Sequence, residues 1–276
     1  MNFTIPTNIT TKDELFKYLK DNKSTIIQEK KSANKKCDVV SYQMPLVSTK
    51  GDYESKEVAM TTDNIETGFV LLKFVGNTTN LLDSHMDVHI PKLWNKTLAD
   101  NEYFLHLQEH EMEFDKVIDS KMKCSVKNVK WKSLGAPYEG STQALFGESL
   151  APVDRNEYMV EQYKKGYVTN HSVGMRYKNV VMCVNSEEKY YIDEKANWDK
   201  YYPMVANKEK ADECGYFFAV LEAELIEISA VVKGSNTITP TISVTESNVA
   251  GSTTTTNIEP VKSTQKKVDY SKLKFI

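Results

Sequence analysis

From about Cys37 onward the apolar residues come in short runs, many alternating with polar ones and bounded by Gly, Pro, Asn or Asp. "DVVSYQMPLV", "GFVLLKFVG", "DVHI", "YFLHLQEH", "KVIDSKMKCSVKNVKW", "YVTNHSVGMRY", "VVMCV" and "YFFAVLEAELIEISAVV" each read as a β-strand. Period-two alternation and enrichment in β-branched and aromatic residues suit a pleated, half-buried surface. Several strands separated by turn signals predict a β-rich domain, either a barrel or a curled sheet. Two segments carry helix signals instead. "PKLWNKTLADN" opens with Pro91 at a favourable first-turn position, and "DRNEYMVEQYKKG" runs from a capping Asp154 to a terminating Gly166.

The two ends depart from this pattern. Residues 11–31 predict a helix, because Thr11 and Glu14 have capping-box spacing and Leu15, Leu19 and Ile26 fall near one face. That stripe is too thin for a separate domain, so residues 1–36 are expected to form a helical appendage. After Lys233, Ser and Thr make up nearly half of the residues from Gly234 to Thr264, with no aromatic among them. Such a composition buries too little apolar surface to offset its ordering entropy, which predicts a flexible tail over 234–276. The main domain is then 37–233, and the fold class is α+β, rich in β.

Composition narrows the function classes. The 276 residues carry a formal net charge of -3, with no basic stripe, which argues against nucleic acid as the ligand. The N-terminus lacks the basic start and apolar core of a signal peptide, and no apolar run approaches the roughly 18 residues of a membrane span, so a cytosolic protein is expected. Cys37, Cys124, Cys183 and Cys214 are scattered without a CxxC pair. They suggest neither a zinc ribbon nor a disulfide framework, and buried, reduced thiols are expected.

Candidate chemistry centres on "NHSVGM". Gly174 weakens a strand and often marks a close approach, by substrate backbone for example, so Ser172 is a candidate nucleophile. His171 is adjacent, but neighbours on a strand point to opposite faces, which makes it a structural histidine. If residues 103–110 form a strand, His106 and His110 share a face; His106 lies among apolar neighbours, whereas His110 sits at the polar end as the better base. Glu227, flanked by Ile226 and Ile228, would be costly to bury without a partner and is the candidate third member, while Glu222 and Glu224 read as exposed. A rival reading is a zinc hydrolase, because "HLQEH" fits H-x-x-E-H, with His106 and His110 as ligands and Glu109 activating water if the segment were helical. A plain ligand-binding barrel with Ser172 as an ordinary strand serine is the bland alternative.

With His110, Ser172 and Glu227 in that chain order, the sequence resembles the prohead maturation proteases of tailed bacteriophages, distant relatives of the herpesvirus assemblins. The resemblance runs from about Val70 to Asn236 and rests on "DSHMDVHIPKLWNKTLADN", "LQEHE", "YKKGYVTNHSVGM" and "EISAVV". It departs where that family continues its last motif into a Pro-Ala turn and this chain has "KGSN", and where Met175 replaces a more usual aromatic. The resemblance implies a compact β-barrel wrapped by helices, like that of the herpesvirus proteases. It implies a serine endopeptidase with a Ser172–His110–Glu227 triad and no cofactor or metal. Its substrates would be scaffold and major capsid protein precursors, and the chain itself, inside the procapsid in the host cytoplasm. Related viral proteases often dimerise, so a homo-oligomer is compatible with this reading. A non-catalytic virion or scaffold-like component with a protease fold is the further alternative.

Overall fold

The computed structural model describes residues 5–32, 65–247 and 253–257. The run "DVVSYQMPLV" and Cys37 lie outside the described residues. In place of one N-terminal helix there are two, α1 (Lys12–Asp21) and α2 (Lys23–Ser32). They meet at Asn22, whose side-chain amide donates to the Tyr18 carbonyl at 2.9 Å, the kind of local bond by which Asn competes with helix continuation. The capping box forms as expected: Glu14 N–H donates to Thr11 Oγ1 at 3.2 Å and Thr11 N–H to Glu14 Oε2 at 3.1 Å.

This helical pair packs on the main body through buried Phe16, Leu19 and Ile26. Charge reinforces the contact. Lys20 and Lys23 both reach the buried carboxylate of Glu194, and Lys30 pairs with Asp87, with both partners buried. Asp87 also accepts the Tyr177 hydroxyl at 2.8 Å.

The strands are β1 (Phe69–Thr78), β2 (Asp87–His89), β3 (Phe104–Gln108), β4 (Val117–Lys130), β5 (Ser141–Pro152), β6 (Asn170–Val184), β7 (Tyr216–Val231), β8 (Thr241–Ser247) and β9 (Thr253–Asn257). They form one nine-stranded sheet. β6 pairs antiparallel with one side of β7, and the short β2 and β3 both run parallel along its other side. From β3 the ladder continues through β4, β5, β1 and β8 to β9. The runs at 167–177 and 180–184 merge into the single strand β6, and β5 is a strand that the run pattern did not single out.

The hydrogen-bonded ladder does not close on itself. The sheet curls so that β1 lies across the core from β6 and β7: the Phe74 ring stacks on His171 with centroids 4.1 Å apart, and a Cβ at Gly76 would stand 2.6 Å from Ile228 Cδ1. Glycine at position 76 therefore permits the two layers to approach. The core between them holds Leu72, Phe74, Ile118, Leu145, Tyr163 and Ile228.

Helices α3 (Asn95–Asp100), α4 (Glu157–Lys164), α5 (Ile192–Tyr201) and α6 (Lys208–Cys214) fill the connections. Two expected helix starts move. α3 begins at Asn95 rather than Pro91, because Lys92 adopts φ 77°, a conformation no right-handed helix contains. α4 is capped by Asn156, whose side chain accepts from Met159 N–H at 3.1 Å, rather than by Asp154. Gly166, at φ 71°, ends α4 as expected.

The boundary at Lys233 requires correction. Residues 241–247 form β8, paired antiparallel with β1, and Asn236, Ile238, Thr239 and Val244 are buried. Low overall apolarity concealed an alternation, Ile238–Ile242–Val244, set among threonines whose β-branching favours extended backbone. Positions 248–252 and 258–276 of the proposed tail lie outside the described residues. Of the cysteines, Cys183 is buried as expected, whereas Cys124 and Cys214 are half-buried. No helix among the described residues is long and apolar enough to cross a membrane.

Candidate active site

The geometry begins with a break in the alternation of β7. Along β6, His171, Val173, Met175 and Tyr177 face the core, and Ser172 and Gly174 face the other way. On β7, Ala223 and Leu225 point inward, and so do Ile228 and Ala230, an odd pair followed by an even pair. The register explains the switch: Met175 pairs with Leu225 but Gly174 pairs with Glu227, so β7 carries an extra residue at Ile226. A bulge of this kind re-aims everything after it. It takes Glu227 and Ser229 out of the core face and sets them beside Gly174 and Ser172.

His110 arrives from β3. The strand ends at Gln108, two residues earlier than expected, and Glu109 and His110 then adopt φ 50° and 61°. Such a conformation is rare for residues other than glycine and is tolerated where surrounding bonds hold it. Three do so: Glu109 N–H donates to the Ala230 carbonyl at 2.9 Å, Val232 N–H to Glu109 Oε1 at 2.8 Å, and His110 N–H to Ser229 Oγ at 3.0 Å. His106 and His110 therefore do not share a face. His106 aligns with Ile228 on the core side, while the turn carries His110 to the side of Glu227.

The His110 Nδ1 to Glu227 Oε1 distance is 2.6 Å, and Ser229 Oγ donates to Glu227 Oε2 at 2.7 Å. Both members are almost wholly buried, which answers the anomaly of Glu227: its charge is matched by an imidazole and a hydroxyl. Gly174 has its own role here. A Cβ at that position would stand 2.0 Å from Glu227 Oε1, so the carboxylate itself fills the space that the sequence assigned to approaching substrate. Facing a carboxylate, Nδ1 is placed to donate its N–H to Glu227 Oε1, which leaves Nε2 as the ring nitrogen turned away from the pair. Nε2 is buried and has no hydrogen-bond partner among the described residues. Ser172 is buried on the same sheet face, directly opposite Ser229, and is not bonded to that nitrogen.

Across the sheet lies a separate polar chain. His171 Nε2 meets the Tyr163 hydroxyl at 2.8 Å and its Nδ1 the Thr239 carbonyl oxygen at 3.0 Å; His106 meets the same hydroxyl at 2.9 Å and Ser149 Oγ at 3.0 Å. Burial holds His171 down to about 4 and His106 well below the ordinary imidazole range, so both are neutral structural residues. This also removes the zinc arrangement. Both nitrogens of His106 are engaged in the core, Glu109 is bonded to Val232, and His110 lies on the opposite face. Among the described residues no three His, Cys, Asp or Glu side chains converge as metal ligands.

The sequence pointed to Ser172, His110 and Glu227, and the structure joins the last two directly while setting Ser172 on their face. It missed Ser229, which left only the weak signal of a small polar residue two positions from Glu227 in an apolar strand. No protein-family model, curated protein or solved structure matches the chain.

Proposed function

We propose that this chain is a serine endopeptidase of the prohead-maturation type. It would cleave scaffold and major capsid protein precursors, and itself, inside a phage procapsid in the host cytoplasm. The observation that carries the proposal is His110: its Nδ1 is anchored on a buried carboxylate, while its buried Nε2 has no partner among the described residues on the sheet face that bears Ser172. A buried nitrogen without a hydrogen bond is expensive to keep, and a general base is a reason to keep it. The chain order His–Ser–Glu and the four motifs of the resemblance support the same reading, and the curled sheet with flanking helices is compatible with a herpesvirus-protease-like barrel.

In the mechanism, Ser172 Oγ attacks the scissile carbonyl and its proton passes to His110 Nε2. Glu227 remains ionised and stabilises the imidazolium. The tetrahedral intermediate collapses as His110 returns the proton to the leaving amine, and water, activated by the same imidazole, hydrolyses the acyl-enzyme. Nucleophile-to-base bonds are often long until substrate is bound, so the unmade Ser172–His110 bond is compatible with this chemistry. The same unmade bond is what favours the rival, a non-catalytic virion component.

An alkyl fluorophosphonate separates the two. Ser172 Oγ would bond to phosphorus, fluoride would leave, and the proton would go to His110. Peptide mass spectrometry should find the label on Ser172, with labelling abolished in Ser172→Ala. Self-cleavage followed by intact mass should fall by at least about 10³-fold in the same variant. A label on Ser229, or cleavage unchanged in Ser172→Ala, refutes the proposal.

A further inference from the structure

We infer that Ser229 is the positioning residue of this site, a single hydroxyl that fixes both the carboxylate and the backbone on which the base depends. The inference rests on the peptidase reading above and extends it to a residue outside the triad.

The direction of each bond is forced. A carboxylate only accepts, so the contact of 2.7 Å between Ser229 Oγ and Glu227 Oε2 uses the hydroxyl proton. A backbone N–H only donates, so the contact of 3.0 Å from His110 N uses a lone pair of the same oxygen. With Oε2 held in this way, Oε1 is left for His110 Nδ1 at 2.6 Å. The bonds run in sequence, Ser229 O–H donating to Oε2 and His110 Nδ1–H to Oε1, with Nε2 as the ring nitrogen turned away from the pair. The backbone bond matters as much, because His110 stands at φ 61° and would relax if its N–H were released. Ser229 is fully buried and pairs across the strands with Ser172, so one hydroxyl references the base, its carboxylate and the strand of the nucleophile to one point. Among the described residues no other side chain outside the triad bonds to two of its members.

Ser229 does not meet substrate, and the expected effect is on the chemical step alone. With the full chain and an alkyl fluorophosphonate, Ser229→Ala should lower kinact for Ser172 by roughly 10²-fold, the scale of a catalytic group misplaced by about 1 Å, while KI stays within about twofold. Ser229→Thr keeps the hydroxyl on a β-favouring residue and should recover most of the rate. A second readout needs no active enzyme: the proton held between His110 Nδ1 and Glu227 should give a low-field proton NMR resonance in wild type. It should persist in Ser172→Ala and vanish in Ser229→Ala. The inference is overturned if Ser229→Ala, folded by circular dichroism, keeps wild-type kinact or the resonance, if KI rises instead of kinact falling, or if wild type lacks the resonance. Should Ser172 never be labelled, the peptidase reading fails by itself and the NMR comparison still decides the role of Ser229. Should Ser229→Thr misfold, the Ser229→Ala measurements decide it alone.

Discussion

Gly174→Ala isolates the geometry of the site in one methyl group. Gly174 does not have a positive φ, so its backbone suits alanine, and chain entropy alone would make the substitution stabilising by about 0.4–1 kcal/mol. Packing predicts the opposite sign. The new Cβ would stand 2.0 Å from Glu227 Oε1, 2.8 Å from Cδ and 3.0 Å from Cγ. Ordinary contact needs roughly 3.5 Å, so the carboxylate must retreat by about 1–1.5 Å. That displacement carries the 2.6 Å bond to His110 beyond hydrogen-bonding length. Overpacking costs about 1–3 kcal/mol and the lost charge-assisted bond about 1.5–3 kcal/mol, so a net destabilisation of roughly 2–5 kcal/mol is expected. An imidazole released from its orienting carboxylate should also slow cleavage by 10²-fold or more, roughly. Urea unfolding measures the first effect, and the rate of Ser172 labelling by fluorophosphonate the second. A variant as stable as wild type, or more so, with an unchanged labelling rate would show that Glu227 does not lean across Gly174.

Three further outcomes follow from the packing around the site. Lys30→Ala removes a buried ammonium paired with Asp87 and should destabilise the fold by up to about 3–5 kcal/mol in urea unfolding, with Lys30→Met/Asp87→Asn recovering most of it; equal losses in the two variants would refute the pairing. Stability should fall on acidification, because burial holds His171 down to about 4 in the fold against 6.5 unfolded. Its contribution is complete above pH 6.5 and lost as pH falls to about 4, worth about 3 kcal/mol. Asp119, whose carboxyl burial raises, opposes this trend, so the difference between wild type and His171→Gln across that window is the test, and parallel profiles would overturn it. Truncation after Lys233 should prevent folding, since it removes β8 and the Thr239 carbonyl that holds His171; a cooperative thermal melt of the truncated chain at the wild-type midpoint would overturn this.

Much of this architecture was legible in the order of residues, because its signals are local. The capping box at Thr11, the stop at Gly166, the long apolar β7 and the core role of His171 each depend on a few neighbours and on fixed backbone periods. The anomaly of Glu227 between isoleucines was visible in the same way, since desolvating a carboxylate is costly in any fold. What stayed hidden depends on residues far apart in the chain. The adjacent apolar pair Leu225–Ile226 marks the bulge, but its consequence appears only when β6 supplies the register that turns Glu227 toward Gly174. The left-handed turn at Glu109 and His110 has no turn residue to announce it; bonds from Ala230, Val232 and Ser229 impose it, more than a hundred positions away. Likewise the threonine-rich segment after Lys233 becomes a strand because the edge of β1 offers hydrogen bonds that its own composition could not promise. Local backbone preference therefore chose the elements, whereas cross-strand register, burial and the matching of one buried charge fixed which faces they present.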